Sequence, residues 1–126
     1  MKPETAIRTM KLVLDLPARQ LNVRSHWRVR QRARILFFEA SDNRQLLGLV
    51  ARPPFMPWER SRVWMHFRLW NRMDQDNLWA RAKDVCDWLR TRGYIANDDP
   101  KSLDLTVTQE IDRSNRCVEI TLEPVA

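Results

Sequence analysis

Four aspartates in this sequence could support metal-dependent chemistry. Asp74 and Asp76 stand two residues apart, and Asp98 and Asp99 follow about two dozen positions later. Carboxylate oxygens are the ligands that Mg²⁺ prefers, and Mn²⁺ accepts the same donors. The first pair falls where a predicted strand runs into a predicted helix, and the second lies in the turn after that helix. We therefore predict that Asp74, Asp76 and one of Asp98 or Asp99 hold one or two Mg²⁺ ions, with Mn²⁺ as a substitute.

Such a site would suit phosphodiester hydrolysis. A bound ion could orient a water molecule, lower its pKa and neutralise charge at the scissile phosphate. Lys83 lies seven residues after Asp76, two helical turns along the same face, where its ammonium group could contact the phosphate or the leaving oxygen. The alternative is structural. Asp76 would then be the helix N-cap, and the later pair would form only a turn. Lys83 would be an exposed helix lysine paired with Asp87.

The charge balance points to an acidic partner. The formal net charge is +6, and only four of the 22 basic residues are lysines. Guanidinium groups bind phosphate oxygens in pairs, so the arginine bias favours nucleic acid. The predicted DNA contacts are arginines of the first helix and its preceding loop together with two arginines near the acidic residues: Arg24, Arg28, Arg32, Arg72 and Arg81. A solvated helix face neutralised by Glu39 and Asp42 is the alternative for the first three.

Length and composition indicate one folded domain over residues 1–126. The apolar share is 44% and only two glycines occur, which is atypical of disordered chains. No apolar stretch reaches the length of a membrane span, and no signal-peptide core follows Met1, so we expect a cytoplasmic protein without a membrane partner. Glycine-rich phosphate loops are absent, and Cys86 and Cys117 have no metal-ligand spacing. We therefore expect no small-molecule cofactor.

The hydrophobic pattern predicts six elements in the order strand, helix, strand, helix, strand, strand. The predicted ranges are Met10 to Leu16, Trp27 to Leu47, Ser61 to Trp70, Asn77 to Arg92, Leu103 to Ile111 and Arg116 to Glu123. Asp76 is the predicted N-cap of the second helix, and Gly93 ends it. Residues 112–115 read as the turn of a hairpin between the last two strands. This order predicts an α+β fold with two helices on a mixed four-stranded sheet.

The second predicted strand has two chemically different faces. Its apolar residues point one way, while the other face alternates cations with indoles: Arg62, Trp64, His66, Arg68 and Trp70. These residues would suit base stacking beside phosphate contacts. The same composition is typical of protein interfaces, and we favour packing or dimerisation for this face.

A family resemblance covers most of the chain. The run Asp74-Gln75-Asp76-Asn77-Leu78 is followed by a helix with Lys83 and Asp87-Trp88-Leu89, then by Gly93-Tyr94-Ile95 and Asn97-Asp98-Asp99. This order resembles the signature of the RusA family of Holliday junction resolvases: Asp-x-Asp-Asn-Leu, a helix, a glycine and an acidic pair. Upstream, Leu16-Pro17, Leu21-Asn22 and His26-Trp27 are similar to that family's N-terminal segment.

The resemblance implies a small, homodimeric, Mg²⁺-dependent endonuclease of phage or prophage origin, acting in the cytoplasm of a bacterial host. It would cut four-way DNA junctions by paired symmetric nicks in recombination and repair. Asp74, Asp76 and, by preference, Asp98 would be the metal ligands. The chain departs from the pattern at Ala80, where the family has a lysine, and Lys83 lies one turn further along. The alternatives are a non-catalytic nucleic-acid-binding protein with this fold and a nuclease of broader branched-DNA choice.

Overall fold

The computed structural model describes residues 9–17, 27–54 and 56–125. Six elements occur there: β1 (Met10–Asp15), α1 (Trp27–Leu46), β2 (Ser61–Leu69), α2 (Gln75–Thr91), β3 (Leu103–Ile111) and β4 (Cys117–Pro124). Two helices and one mixed four-stranded sheet in this order confirm the predicted α+β fold. Predicted and observed ends differ by at most two residues. In the described part of the chain, no helix has the length and apolar character needed to cross a membrane.

The strands lie side by side in the order β1-β4-β2-β3. β4 runs antiparallel to both of its neighbours, whereas β2 and β3 are parallel and joined through α2. The predicted hairpin between β3 and β4 is therefore wrong, because β2 lies between these two strands. Burial explains the order: Val118, Ile120 and Leu122 of β4 are at most 1% exposed, whereas Ile111 of β3 is 54% exposed. The more apolar strand occupies a central position, and the more polar one lies at the edge.

Both helices contribute to a core on one side of the sheet, while the other side carries the alternate side chains. The buried strand residues include Leu12, Leu14, Val63, Met65, Phe67, Leu69, Leu103, Val118, Ile120 and Leu122. From α2 the core receives Leu78, Ala82, Val85, Trp88 and Leu89. Burying each large apolar side chain stabilises the fold by about 1.5–3 kcal/mol. Cys86 and Cys117 are buried free thiols, as their apolar settings predict.

The two helices are joined by charged and aromatic contacts. Asp42 of α1 accepts hydrogen bonds from the Nε and Nη2 atoms of Arg92, both at 2.7 Å, and from the indole of Trp88 at 2.9 Å. Trp88 is fully buried and stacks on Tyr94, with ring centroids 5.3 Å apart. Gly93 has a φ of +86°, the left-handed conformation predicted for the residue that ends α2. Asp42 therefore joins α1 to the last turn of α2.

Replacing Asp42 by asparagine is expected to destabilise the fold in a pH-dependent way. The guanidinium of Arg92 holds the pKa of Asp42 below its usual range, with the Trp88 hydrogen bond adding to this and burial opposing it. The stabilisation is therefore complete above the unfolded pKa of about 3.9 and is lost as the pH falls through the folded pKa. At pH 7, Asp42→Asn should lower the free energy of unfolding by about 1–2 kcal/mol. Urea titrations should show this difference shrinking steadily from pH 5 to pH 2.

The control is Asp104→Asn, which breaks the exposed Arg60–Asp104 pair at 2.6 Å. An exposed pair contributes about 0–1 kcal/mol, so this variant should change stability less at pH 7. A difference between wild type and Asp42→Asn that stays constant down to pH 2 would contradict the assigned role of the Asp42 charge.

Candidate metal and nucleic-acid site

The first acidic pair lies at the start of α2. The helix begins at Gln75, so Asp74 is the N-cap residue and Asp76 belongs to the first turn. The prediction that Asp76 is the N-cap was therefore wrong, because aspartate is favoured both at the cap and within the first turn. Asp74 makes no side-chain capping hydrogen bond. Its Oδ2 accepts only a long contact of 3.5 Å from Asn77 Nδ2. Both carboxylates are exposed, so their oxygens remain accessible to a ligand.

The loop before Asp74 is held by a residue that the sequence reasoning missed. The backbone N–H of Met73 donates to Gln109 Oε1, and the Met73 carbonyl accepts from Gln109 Nε2, both at 2.8 Å. Met73 itself is buried. A signal was present: Gln109 occupies the same alternating position as Leu103, Leu105 and Val107 of β3, which is unusual for an amide on an inward face. Gln109 thereby fixes the approach of the chain to Asp74.

The second acidic pair lies in the turn between α2 and β3. Asp99 is used structurally: its Oδ1 accepts from the Ser102 N–H at 2.9 Å, and its Oδ2 accepts from Asn97 Nδ2 at 3.0 Å. The Asp98 carboxylate has no hydrogen bond or salt bridge to a described residue. Burial raises the pKa of the Cys86 thiol to about 12, with the charges of Asp98 and Asp87 adding to that rise. Asp98 therefore lies near the later half of α2.

The described chain does not bring the two pairs together. Residues 9–17, 27–54 and 56–125 contain no group of three or more His, Cys, Asp or Glu side chains that could hold a metal ion. The reason is topological. α2 links two parallel strands, so it starts where β2 ends and finishes near the start of β3. Its 17 residues span roughly 25 Å. The expected approach of Asp98 or Asp99 to Asp74 and Asp76 within one chain is therefore not found.

The donors that remain together are Asp74 and Asp76. Two exposed carboxylates two residues apart fit Mg²⁺, which is commonly held by one or two carboxylates with water and substrate oxygens completing its shell. Neither carboxylate forms a salt bridge with a described residue. This pair could hold an ion in the presence of a phosphate ligand.

Lys83 is exposed on α2. The alternative pairing with Asp87 does not occur, because Asp87 pairs with Arg34 at 3.2 Å and with Arg90 at 3.7 Å. Asp76, Trp79 and Lys83 all lie on the solvent-facing side of the helix, whereas Arg81 and Ala82 face inward. The Lys83 ammonium group therefore remains available on the side that carries Asp76.

The predicted DNA-binding arginines divide into three groups. Arg24 lies outside the described residues. Arg28 and Arg32 are exposed on α1, and Arg72 is exposed in the loop that leads to Asp74. Arg81 is buried, with only 8% of its surface exposed, so it differs from the predicted arginines that lie on the surface. Burial lowers the pKa of Arg81; the Asp84 carboxylate opposes this, and the nearby Arg116 charge adds to it.

The side of the sheet opposite the core, called the open face from here on, carries basic side chains that are paired with acids. Arg62 pairs with Glu123 at 3.3 Å. Arg68 pairs with Glu110, Asp112 and Glu119 at 2.9–3.4 Å. His66 contacts Thr108 and Glu110, each at 2.7 Å. The cations of this face are therefore paired with acids: Glu110, Glu119 and Glu123 come from the strands beside β2, and Asp112 comes from the turn after β3.

The end of the sheet where β2 stops carries arginines that, unlike those of the open face, are not paired with acids of the described ranges. Arg72, Arg113 and Arg116 form no salt bridge with any residue in the described ranges. All three lie near the start of α2, because the turn from β3 to β4 returns to the end of β2. Three guanidinium groups without a salt bridge to a described residue therefore lie at the same end of the sheet as Asp74 and Asp76, where a polyanion would be attracted.

Metal binding should depend on the first acidic pair. Asp76→Asn is expected to weaken Mn²⁺ binding roughly tenfold or more, because one of two charged ligands is lost. Asp99→Asn should leave that affinity unchanged and lower stability by about 0.5–2 kcal/mol, since Asp99 caps its turn. Electron paramagnetic resonance of free Mn²⁺ measures the affinity, and thermal unfolding measures the stability. Equal losses of affinity in the two variants would contradict the assignment.

The chain was also compared with known proteins. No protein-family model matches this sequence, and no curated protein matches it. The resemblance to RusA-type resolvases therefore rests on the run from Asp74 to Leu78 and the later residues Lys83, Gly93 and Asp98-Asp99.

Proposed function

We propose that this chain is a Mg²⁺-dependent endonuclease that acts as a homodimer on branched DNA and resolves four-way junctions. The observation that carries the proposal is that two exposed carboxylates, Asp74 and Asp76, lie at the same end of the sheet as three arginines with no salt bridge to a described residue: Arg72, Arg113 and Arg116. Acidic ligands alone are common on protein surfaces. Acidic ligands surrounded by unpaired guanidinium groups are suited to a metal ion and a phosphodiester together.

Each residue has a separate part in the proposed reaction. Asp74 and Asp76 would hold Mg²⁺, which supplies charge neutralisation at the phosphate and a water of lowered pKa. Arg72, two residues before Asp74 and exposed, would bind a neighbouring phosphate oxygen. Lys83, on the solvent-facing side of α2, would stabilise the negative charge on the leaving oxygen. Gln109 is a positioning residue, because it holds Met73 and hence the orientation of Asp74.

The separation of the acidic pairs supports a dimeric site. Within the described residues, no third carboxylate joins Asp74 and Asp76. A second copy could supply it, so that Asp74 and Asp76 of one protomer share an ion with Asp98 of the other. Asp98 suits this part better than Asp99, since both oxygens of Asp99 are already hydrogen bonded. A two-fold dimer would present two such sites, which matches the two-fold symmetry of a four-way junction.

A second candidate function is binding of branched DNA without cleavage. The observation that favours it is Ala80, which stands where a lysine would follow the Asp-Asn-Leu run one turn from Asp76. The positive end of the sheet would serve either function, so only turnover separates them.

The wild type should nick a synthetic four-way junction in Mg²⁺ faster than a linear duplex of the same arm sequence. Asp76→Asn should lower the nicking rate about a hundredfold or more, because a charged ligand of the ion is lost. Asp104→Asn, which alters a carboxylate paired with Arg60, serves as the control and should nick normally. Gel analysis of end-labelled junctions measures each rate. Junction binding by the wild type without nicking would favour the second candidate, and normal nicking by Asp76→Asn would contradict the metal assignment.

A mixing experiment tests whether the site is shared between protomers. Asp76→Asn and Asp98→Asn should each be inactive alone. In an equal mixture, half of the dimers would be mixed, and each mixed dimer would contain one intact site, so activity should recover to about a quarter of the wild-type value. Refolding the two variants together ensures exchange of subunits.

The control mixture combines Asp74→Asn with Asp76→Asn. It should stay inactive, because both changes fall in the same half of the shared site and every site of a mixed dimer then lacks one ligand. Activity of Asp98→Asn alone, or a mixture that remains inactive despite confirmed subunit exchange, would contradict the shared site.

A further inference from the structure

A polar cleft of about 720 Å³ lies at the end of the sheet where β2 stops. Its lining residues are Leu16, Trp70, Asn71, Arg113, Ser114, Asn115 and Arg116. The cleft follows from the strand order: β3 and β4 are not neighbours, so the turn between them must pass the end of β2. The volume lies within the range of natural small-molecule sites and is ample for one nucleotide.

The aromatic wall of the cleft is held in place by an arginine. Trp70 is 49% exposed. The Arg113 guanidinium lies 5.5 Å from the Trp70 ring centroid, and its Nε donates to the Trp70 carbonyl at 3.2 Å. Arg113 also donates to Asn71 Oδ1 at 3.4 Å. The indole is thus an exposed aromatic surface with a supported orientation, which is what base stacking requires.

The cationic wall is formed by Arg116. Its side chain is half-buried and forms no salt bridge within the described ranges. Its charge acts on Arg81, which is only 8% exposed. The charge of Asp84 also acts on Arg81, and Asp84 pairs with Arg34 at 3.6 Å. An anion in the cleft would be attracted by the Arg116 guanidinium group, which lines it.

We propose that this cleft binds one nucleotide of an unpaired nucleic-acid strand, with the base stacked on Trp70 and the phosphate bound by Arg116. The assignment deepens the proposed nuclease function, on which it rests, by identifying where a strand leaving the branch point is held. Trp70 lies four residues before Asp74. A strand anchored there passes close to the acidic pair.

The chain contains a matched control pair. Trp64 is 37% exposed, and the Arg62 guanidinium lies 5.9 Å from its ring centroid. Arg62, however, is paired with Glu123 at 3.3 Å. The open face therefore offers the same two residue types with the arginine paired to an acid, whereas Arg116 forms no salt bridge with a described residue.

The test is equilibrium binding of the full chain in EDTA, where no cleavage occurs. Fluorescence anisotropy would compare a labelled eight-residue oligothymidylate with an abasic oligomer of equal length. The wild type should bind the thymidylate about tenfold more tightly, because one stacked base contributes on the order of 1–3 kcal/mol. Trp70→Ala should abolish this preference, and Trp70→Tyr should retain most of it. Trp64→Ala should leave it unchanged.

The phosphate contact is tested through salt dependence. Arg116→Gln should weaken binding of both oligomers and reduce the slope of log affinity against log salt concentration by about 0.7, the value for one phosphate contact on a single strand. Arg62→Gln should change neither quantity. Thermal unfolding of each variant checks that it is folded at the assay temperature. If Trp70→Ala is unfolded at that temperature, Trp70→Tyr is used in its place, and it should retain most of the base preference.

Three results would overturn the proposal. The first is an unchanged base preference in folded Trp70→Ala. The second is an equal loss in Trp64→Ala. The third is competition by thymidine monophosphate as strong as that of the oligomer, which would assign the cleft to free nucleotides. Failure of the nuclease proposal is seen separately, as wild-type protein that shows the base preference in EDTA but does not nick junctions in Mg²⁺.

Discussion

The parallel pairing of β2 with β3 is the constraint on which the rest of the structure depends. Parallel neighbours need a crossover, and α2 is that crossover. Its start is therefore fixed at one end of the sheet and its finish at the other. Asp74 and Asp76 therefore lie at the same end of the sheet as Arg72 and the β3–β4 turn. Asp98 and Asp99 follow the opposite end of α2. One pairing choice thus decides which charged groups are neighbours.

Charge is distributed unevenly over this framework, although the whole chain is basic. On the open face, strand register places Glu110, Glu119 and Glu123 beside the cations of β2. At the end of β2, Arg113 and Arg116 form no salt bridge with a described residue, and the nearby Asp112 accepts hydrogen bonds from Ser114. The net charge of +6 is therefore not spread evenly over the described surface. Local neutralisation, more than total charge, determines where a polyanion is attracted.

Much of the fold follows from patterns within single elements. Alternation identified the inward residues of β2 and β4, and Gly93 marked the end of α2, because these signals depend on a few adjacent residues. Strand order and long-range partners could not be obtained in this way. Three features depend on residues distant in sequence: the position of β2 between β3 and β4, the burial of Arg81, and the contact of Gln109 with Met73. The same holds for the two acidic pairs. Their residue types can be seen in the sequence, but their placement at opposite ends of α2 could not be predicted from it.

The contact between Gln109 and Met73 has a mechanical consequence. The Gln109 side-chain amide donates to and accepts from one backbone position, as a neighbouring strand would. The loop before α2 is thereby attached to β3, which is the outermost strand on its side of the sheet. An outermost strand has a partner on one side only and yields more readily than a central one. The orientation of Asp74 thus depends on an edge strand, so strain applied along that edge of the sheet would be transmitted to the carboxylates.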